Sequence, residues 1–286
     1  MLMLFALALA APQASFTADT TVQVQPGSRL EVERVEGAVT VRTWNKSAVQ
    51  VRAPGGRDAQ LRVEVSGRRV TVEVEDEDHD PYDGDLELTV PADMSLSITS
   101  QDGDIEVTGA KAELDLETIS GSITVEGGSG VITLHSTDGE LRLTGAKGRI
   151  ELNAVDGSIT GRDLEGDIRA ESVDGSVTLE NVTASGVEAT TVDGSIEFSG
   201  TLQKGGRYRL GSHDGNVTLA VPALDACVSV STFSGSFESD PAFPVTLTGT
   251  RGGKRMSFTV GNCSASVDLE SFDGAIRIVR QGSIRR

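Results

Sequence analysis

The chain is poor in the residues that usually carry chemistry. Its 286 residues include only three histidines, two cysteines, one tryptophan and two tyrosines, and aromatic residues make up 4% of it. His79, His135 and His213 lie far apart, and no HExxH, GxSxG or phosphate-loop pattern occurs, so metalloprotease, hydrolase and nucleotide chemistry lack their signatures. Some β-helical enzymes cleave polysaccharides, but they need clustered charges on long loops and aromatic platforms for sugar rings. Neither is present, and the chain reads as a protein that is not an enzyme and carries no cofactor.

Basic residues are also scarce. Lys and Arg number 25 against 43 Asp and Glu, a formal charge of −18. Phosphate binding needs a basic surface, so nucleic acid is not an expected partner. The same charge favours a soluble molecule that repels its own kind and anionic surfaces. Long apolar runs are missing too, because after the first fifteen residues nothing approaches the roughly 18 to 20 needed to cross a bilayer.

That opening segment, MLMLFALALAAPQAS, reads as a signal peptide over residues 1–15, with small residues suited to cleavage after Ala10 or Ala14, although no Lys or Arg begins it. No cysteine follows to take a lipid. In an exported chain two states are open to Cys227 and Cys263, which stand 36 residues apart: a disulfide, or two buried thiols acting as small hydrophobes.

What the chain has in abundance is glycine, 33 in all, much of it inside one recurring phrase. A hydroxyl residue, a spacer, Asp-Gly or Ser-Gly and two aliphatics one position apart recur as SQDGDIEV, TISGSITV, STDGELRL, AVDGSIT, SVDGSVTL, TVDGSIEF, SHDGNVTL, STFSGSF and SFDGAIRI. The glycines are Gly103, Gly121, Gly139, Gly157, Gly175, Gly194, Gly215, Gly235 and Gly274, so the step is 18 residues four times, then 19, 21, 20 and 39. The last interval reads as two repeats with one degenerate copy between. A fixed period of this size marks a solenoid, whose units bury their apolar faces only against their neighbours.

The pattern predicts an all-β fold, a β-solenoid like a parallel β-helix, with coils of about 18 residues. Each coil holds two short strands whose alternating aliphatics, such as Ile123/Val125, Ile132/Leu134 and Leu141/Leu143, face inward. A mixed arrangement with antiparallel hairpins also fits the period. Residues 16–95 alternate with period two but out of register with the repeat, and read as a strand-rich block capping one end; residues 96–286 hold the coils, which loosen after Pro222.

The repeated corner has a local explanation. Asp102, Asp138, Asp156, Asp174, Asp193, Asp214 and Asp273 would accept hydrogen bonds from their own downstream backbone, while each glycine supplies positive φ. Stacking lines these carboxylates up, but one per coil is too few for Ca²⁺, which takes six to eight oxygens. The spacer reads as a tolerant turn position, which accounts for His213. The acidic run from Glu75 to Asp85 reads as a solvated loop.

These T/S-x-D-G-S-I-x-V units, with the closing SVSTFSGSFESD and SVDLESFDGAIRIV, resemble over residues 30 to 280 a bacterial family of exported "putative adhesin" proteins of unknown function. The resemblance implies a solenoid outside the cytoplasm, no catalytic residues, and a role in surface attachment or envelope-stress signalling. The first expectation is a noncatalytic extracytoplasmic module, at the cell surface, in the periplasm or secreted. It would meet a protein or glycan partner through outward residues such as Glu106, Thr124, Arg142, Thr178 and Glu197. The alternatives are an envelope-stress regulator and a homo-oligomeric scaffold polymerising end to end, as bactofilins do.

Overall fold

The computed structural model describes residues 17–54, 60–75, 84–243, 246–247 and 255–282. The proposed signal segment lies outside these residues, as do most of the acidic run and most of the basic TRGGKR turn at 250. The described chain is all strand, turn and bend, and no helix in it is long and apolar enough to cross a membrane.

The central array is a flattened parallel solenoid. Strand Leu114–Ser120 pairs in parallel with Ser95–Asp102 on one side and Ser129–Asp138 on the other, and the offset Leu114↔Ile132 is 18 residues. The intervening strands Ile105–Ala110, Ile123–Gly127 and Leu141–Thr144 build a second parallel ladder. Each coil contributes one strand to each ladder, and alternation sends its aliphatics between the two. Ile105, Val107, Leu114, Leu116, Ile123, Val125, Ile132, Leu134, Leu141, Leu143, Ile150, Leu152 and Ile159 are all buried. A thin layer filled by Val, Ile and Leu explains why so few aromatics are needed. The exceptions, Phe198 and Tyr208, meet edge to face at 5.8 Å in one of the longer coils.

The register extends beyond the nine phrases read from the sequence. A Cβ added at each corner glycine would collide with the backbone of the corner glycine one coil away, and following these approaches gives the spatial order of the coils. It runs Gly84, Gly37, Gly103, Gly121, Gly139, Gly157, Gly175, Gly194, Gly215, Gly274, Gly235. Two coils therefore come from the segment before residue 96. Strands Arg29–Val35 and Val39–Trp44 form one, and Arg69–Glu75 and Leu86–Pro91 form the other.

Chain order and spatial order part at both ends. The Gly37 coil lies between the Gly103 and Gly84 coils, and the Gly274 coil lies between those of Gly215 and Gly235. The expected degenerate repeat between Gly235 and Gly274 is thus replaced by something else. This stretch holds the reversed strand Arg255–Val260, which pairs antiparallel with Ala226–Thr232 and in turn with the short strand Thr246–Leu247. At the other end, Gln60–Ser66 pairs antiparallel with Arg69–Glu75 and Ala48–Pro54 with Leu86–Pro91, and Thr17–Gln23 lies antiparallel to Ala48–Pro54 in turn. Reversed strands therefore lie on both ladders at the Gly84 end and on the first ladder at the Gly235 end, where the second ladder finishes in the parallel strand Phe237–Ser239; the central array itself contains no antiparallel hairpin.

Cys227 and Cys263 are joined by a disulfide, with Cα atoms 4.7 Å apart, tying strand Ala226–Thr232 to the turn after Arg255–Val260. Beside it the Asp225 carboxylate accepts the N–H groups of Asn262 at 2.6 Å and Ser264 at 3.3 Å. These bonds, the first above all, hold its pKa below the ordinary carboxylate value.

Candidate interaction surface

The corner phrase divides its labour by position. The hydroxyl residue is buried and donates to the glycine carbonyl one coil back: Ser136 to Gly121 at 2.9 Å, Ser172 to Gly157 at 2.9 Å, Thr191 to Gly175 at 2.8 Å and Ser212 to Gly194 at 2.7 Å. The residue after the glycine accepts a backbone N–H from the next coil, as Asp104 does from Ser122 at 2.7 Å and Ser176 from Ser195 at 3.2 Å. The glycine is dictated by close approach. A side chain on Gly157 would run into the Gly139 carbonyl although Gly157 itself is not among the positive-φ residues, whereas Gly103 combines the close approach with φ of 124°.

Two positions remain that packing does not use. Among the described residues the carboxylates of Asp102, Asp138, Asp156, Asp174, Asp193 and Asp214 accept no protein hydrogen bond, which corrects the expectation that they cap their own turns. They stand exposed in one column, joined by Asp273, whose Oδ1 accepts the Ser234 hydroxyl at 2.9 Å. No group of three or more described His, Cys, Asp or Glu residues is arranged to hold a metal ion.

The spacers form a second exposed column beside them. In spatial order they are Gln101, Ile119, Thr137, Val155, Val173, Val192, His213, Phe272 and Phe233. Of the eight large apolar side chains exposed among the described residues, six are spacers, between 41% and 55% accessible, while Val65 and Val131 lie elsewhere. At one end of the column the His213 and Phe272 rings stack at 4.8 Å and those of Phe272 and Phe233 at 4.7 Å. Scattered exposed apolar residues need no explanation, but a contiguous line does. The sequence carried the signal, since Val recurs at three successive spacers, yet each copy alone passes for a turn residue.

The broad faces are polar. Glu106, Thr124, Arg142, Thr178 and Glu197 fall in one outward row of the second ladder, together with Thr160. On the first ladder a row of alternating sign, Glu151, Arg169, Glu188, Arg209 and Asp268, borders a groove of about 590 Å³. Its charges satisfy one another. Arg169 binds Glu171 at 2.6 Å and Glu188 at 3.3 Å, and the hydrogen bond to Glu171 is the main reason its pKa is raised. Tyr208 beneath the row accepts the Gln203 N–H and donates to the Ala184 carbonyl, and burial raises its pKa. His135 lies outward in a different row, opposite Glu117 and Asn153.

Comparison with known proteins adds the following. The model of the family described as Toastrack DUF4097 matches residues 10–164 and again residues 165–279. No curated protein matches the chain. Three solved structures align over nearly their whole lengths. A putative cell adhesion protein from Clostridium sporogenes has 12% identity, covering 93% of this chain and 100% of its own, with a TM-score of 0.22. A putative adhesin from Bacteroides fragilis has 12% identity over 92% and 97%, with a TM-score of 0.41. A putative adhesin from Parabacteroides distasonis has 13% identity over 93% and 98%, also with a TM-score of 0.41. Superposition this loose carries no argument about function.

Proposed function

Because the chain belongs to the Toastrack DUF4097 family over nearly its whole length, we propose that it is a noncatalytic interaction module acting outside the cytoplasm, adhesin-like in presenting a long repetitive surface. The observation that carries this reading is the corner phrase. Its buried positions account for folding, while its two exposed positions repeat along the edge, and from Asp102 to Asp214 the aspartates make no protein hydrogen bond among the described residues. A side chain freed from packing in coil after coil is available for recognition.

The Cys227–Cys263 disulfide supports an oxidising compartment, since such bridges persist mainly in exported proteins. The reversed strands on three of the four ladder ends, Ala48–Pro54, Gln60–Ser66 and Arg255–Val260, speak for a self-limited molecule over one that polymerises end to end, because they interrupt the parallel pairing that would continue the stack. Envelope-stress signalling is compatible with the same surface, which would then meet a sensor instead of a neighbouring cell.

Cell fractionation of the native protein with an intact mass of its mature form tests the reading. The expected result is an extracytoplasmic protein lacking roughly the first 10 to 15 residues and lighter by two protons from the disulfide. An uncleaved, reduced protein in the cytoplasm would overturn it.

A further inference from the structure

We propose that the spacer column is a docking strip for a cationic amphipathic polypeptide segment, whose apolar side chains lie on Val155, Val173 and Val192 and whose Lys or Arg side chains meet the aspartate column beside them. The proposal rests on the interaction-module reading and names its partner class. Two features of the edge carry it.

The first is the strip itself. Nine spacers one coil apart, at about 4.8 Å per step, make a line of about 38 Å. Its middle is three successive valines on adjacent coils, in register through Ser172 with Thr191 and Asp174 with Asp193. A helix placed along this line returns an apolar residue every turn, about 5.4 Å, so over three valines the mismatch is about 1 Å. Glycans prefer stacked rings, and the rings here are confined to the end bearing His213, Phe272 and Phe233.

The second is charge. On one side runs the column of Asp102, Asp138, Asp156, Asp174, Asp193, Asp214 and Asp273. On the other side, two residues before each spacer, the outward row reads Thr99, Glu117, His135, Asn153, Glu171, Thr190, Gly211, Glu270 and Ser231. Neither of these flanking rows contains a Lys or Arg. A partner that covers the apolar line therefore meets unpaired carboxylates along the aspartate rim, while the other rim beside the valines is Asn153, Glu171 and Thr190, with Glu171 already paired to Arg169. A second copy would bring a second acidic edge against the first, and an anionic membrane would be repelled by the aspartate column.

Binding of two fluorescent 18-residue peptides to the full mature chain tests the proposal. One carries Leu and Lys, the other Leu and Glu, with Leu at helical spacing in both. Wild type should bind the Leu/Lys peptide and not the Leu/Glu one. The triple variant V155S/V173S/V192S keeps the net charge and changes only exposed side chains; it should lose roughly tenfold or more in affinity. D156N/D174N/D193N keeps the valines and should show weaker binding with a shallower salt dependence. Unchanged Leu/Lys binding by the valine variant would reduce the interaction to bulk charge and overturn the proposal.

Three other results would also overturn it: a wild-type dimer in sedimentation that the valine variant loses, capture of zwitterionic phosphatidylcholine vesicles that depends on the valines, or no peptide binding at all. In each case the mass and fractionation result stands separately, so the proposed partner can fail while the interaction-module reading survives.

Discussion

The two long edges of the solenoid obey different rules. At the Asp-Gly edge the coils from Gly103 to Gly215 turn in the same way, and the glycine column runs unbroken from Gly84 to Gly235, although the strand entering the Gly37 corner slips register between Val32 and Val35. The opposite edge absorbs the variation. Register shifts fall there, between Glu126 and Gly127, Gly166 and Asp167, and Ala184 and Gly186. The 21-residue step to Gly215 arises because Leu202 pairs with Ala184 and Arg207 with Gly186, leaving residues 203–206 as an extra excursion. Strands Val177–Asp193 and Ile196–Asp214 even pass through this edge as continuous strands. One edge thus keeps the spacers and aspartates aligned because the other takes up the insertions.

The sharpest way to break this contrast is to put a methyl group on each edge. Gly157→Ala forces a Cβ against the Gly139 carbonyl, backbone that cannot step aside, and should destabilise the protein by about 3 kcal/mol or more. Gly145, on the opposite edge, has φ of 68° and no neighbour within 4 Å of a would-be Cβ. Gly145→Ala should therefore lose only the left-handed backbone preference, about 1 kcal/mol. Urea midpoints at constant m measure both, and equal losses would mean that the edges are not different.

A smaller effect should come from the buried hydroxyl column. Ser136→Ala strands the Gly121 carbonyl and should cost about 1 to 2 kcal/mol. Ala154 occupies the one central coil where the hydroxyl is missing, opposite Ser136 and Ser172. Ala154→Ser should gain about 1 kcal/mol by donating to Gly139. A loss at residue 154 would show that this column is not interchangeable from coil to coil.

The smallest effect should be acid sensitivity confined to the opposite edge. Asp225 there is wrapped by the N–H groups of Asn262 and Ser264, and its folded pKa is lowered. Its contribution is therefore complete above the ordinary carboxylate pKa and is lost as pH falls through the lower folded value. Asp225→Asn should flatten the acid limb of thermal stability at the C-terminal end, read by amide exchange around Cys263. An unchanged acid limb would remove Asp225 from the account.

Much of this architecture was legible in the sequence because a corner that stacks on itself must repeat its glycine. The core was legible for a related reason, since alternation around Ile123/Val125 or Leu141/Leu143 admits only one inward face. What escaped was encoded by partners far apart in the chain. Gly37 sits in a corner that has lost the Asp of the phrase, and Asp83-Gly84-Asp85-Leu86-Glu87-Leu88 keeps most of the phrase but lacks its leading hydroxyl residue and stands off the period, so their contacts place both glycines in the column. The insertion of the Gly274 coil between Gly215 and Gly235 depends on strand pairing that no local pattern announces. At the candidate surface the aspartates were visible and their task was misread, because Asp-Gly has so common a local explanation. The valines were visible as well, but exposure is a property of the stack and not of any single turn.

The exchanged order of the end coils has a mechanical consequence. A tension applied at the C-terminus does not meet the outermost coil first. It meets strands Ala265–Asp273 and Ile276–Arg280, each hydrogen-bonded to a neighbour on both sides. The chain cannot be peeled from that end one coil at a time; two ladders must shear together before anything unravels, so the tail acts as a wedge driven into the stack.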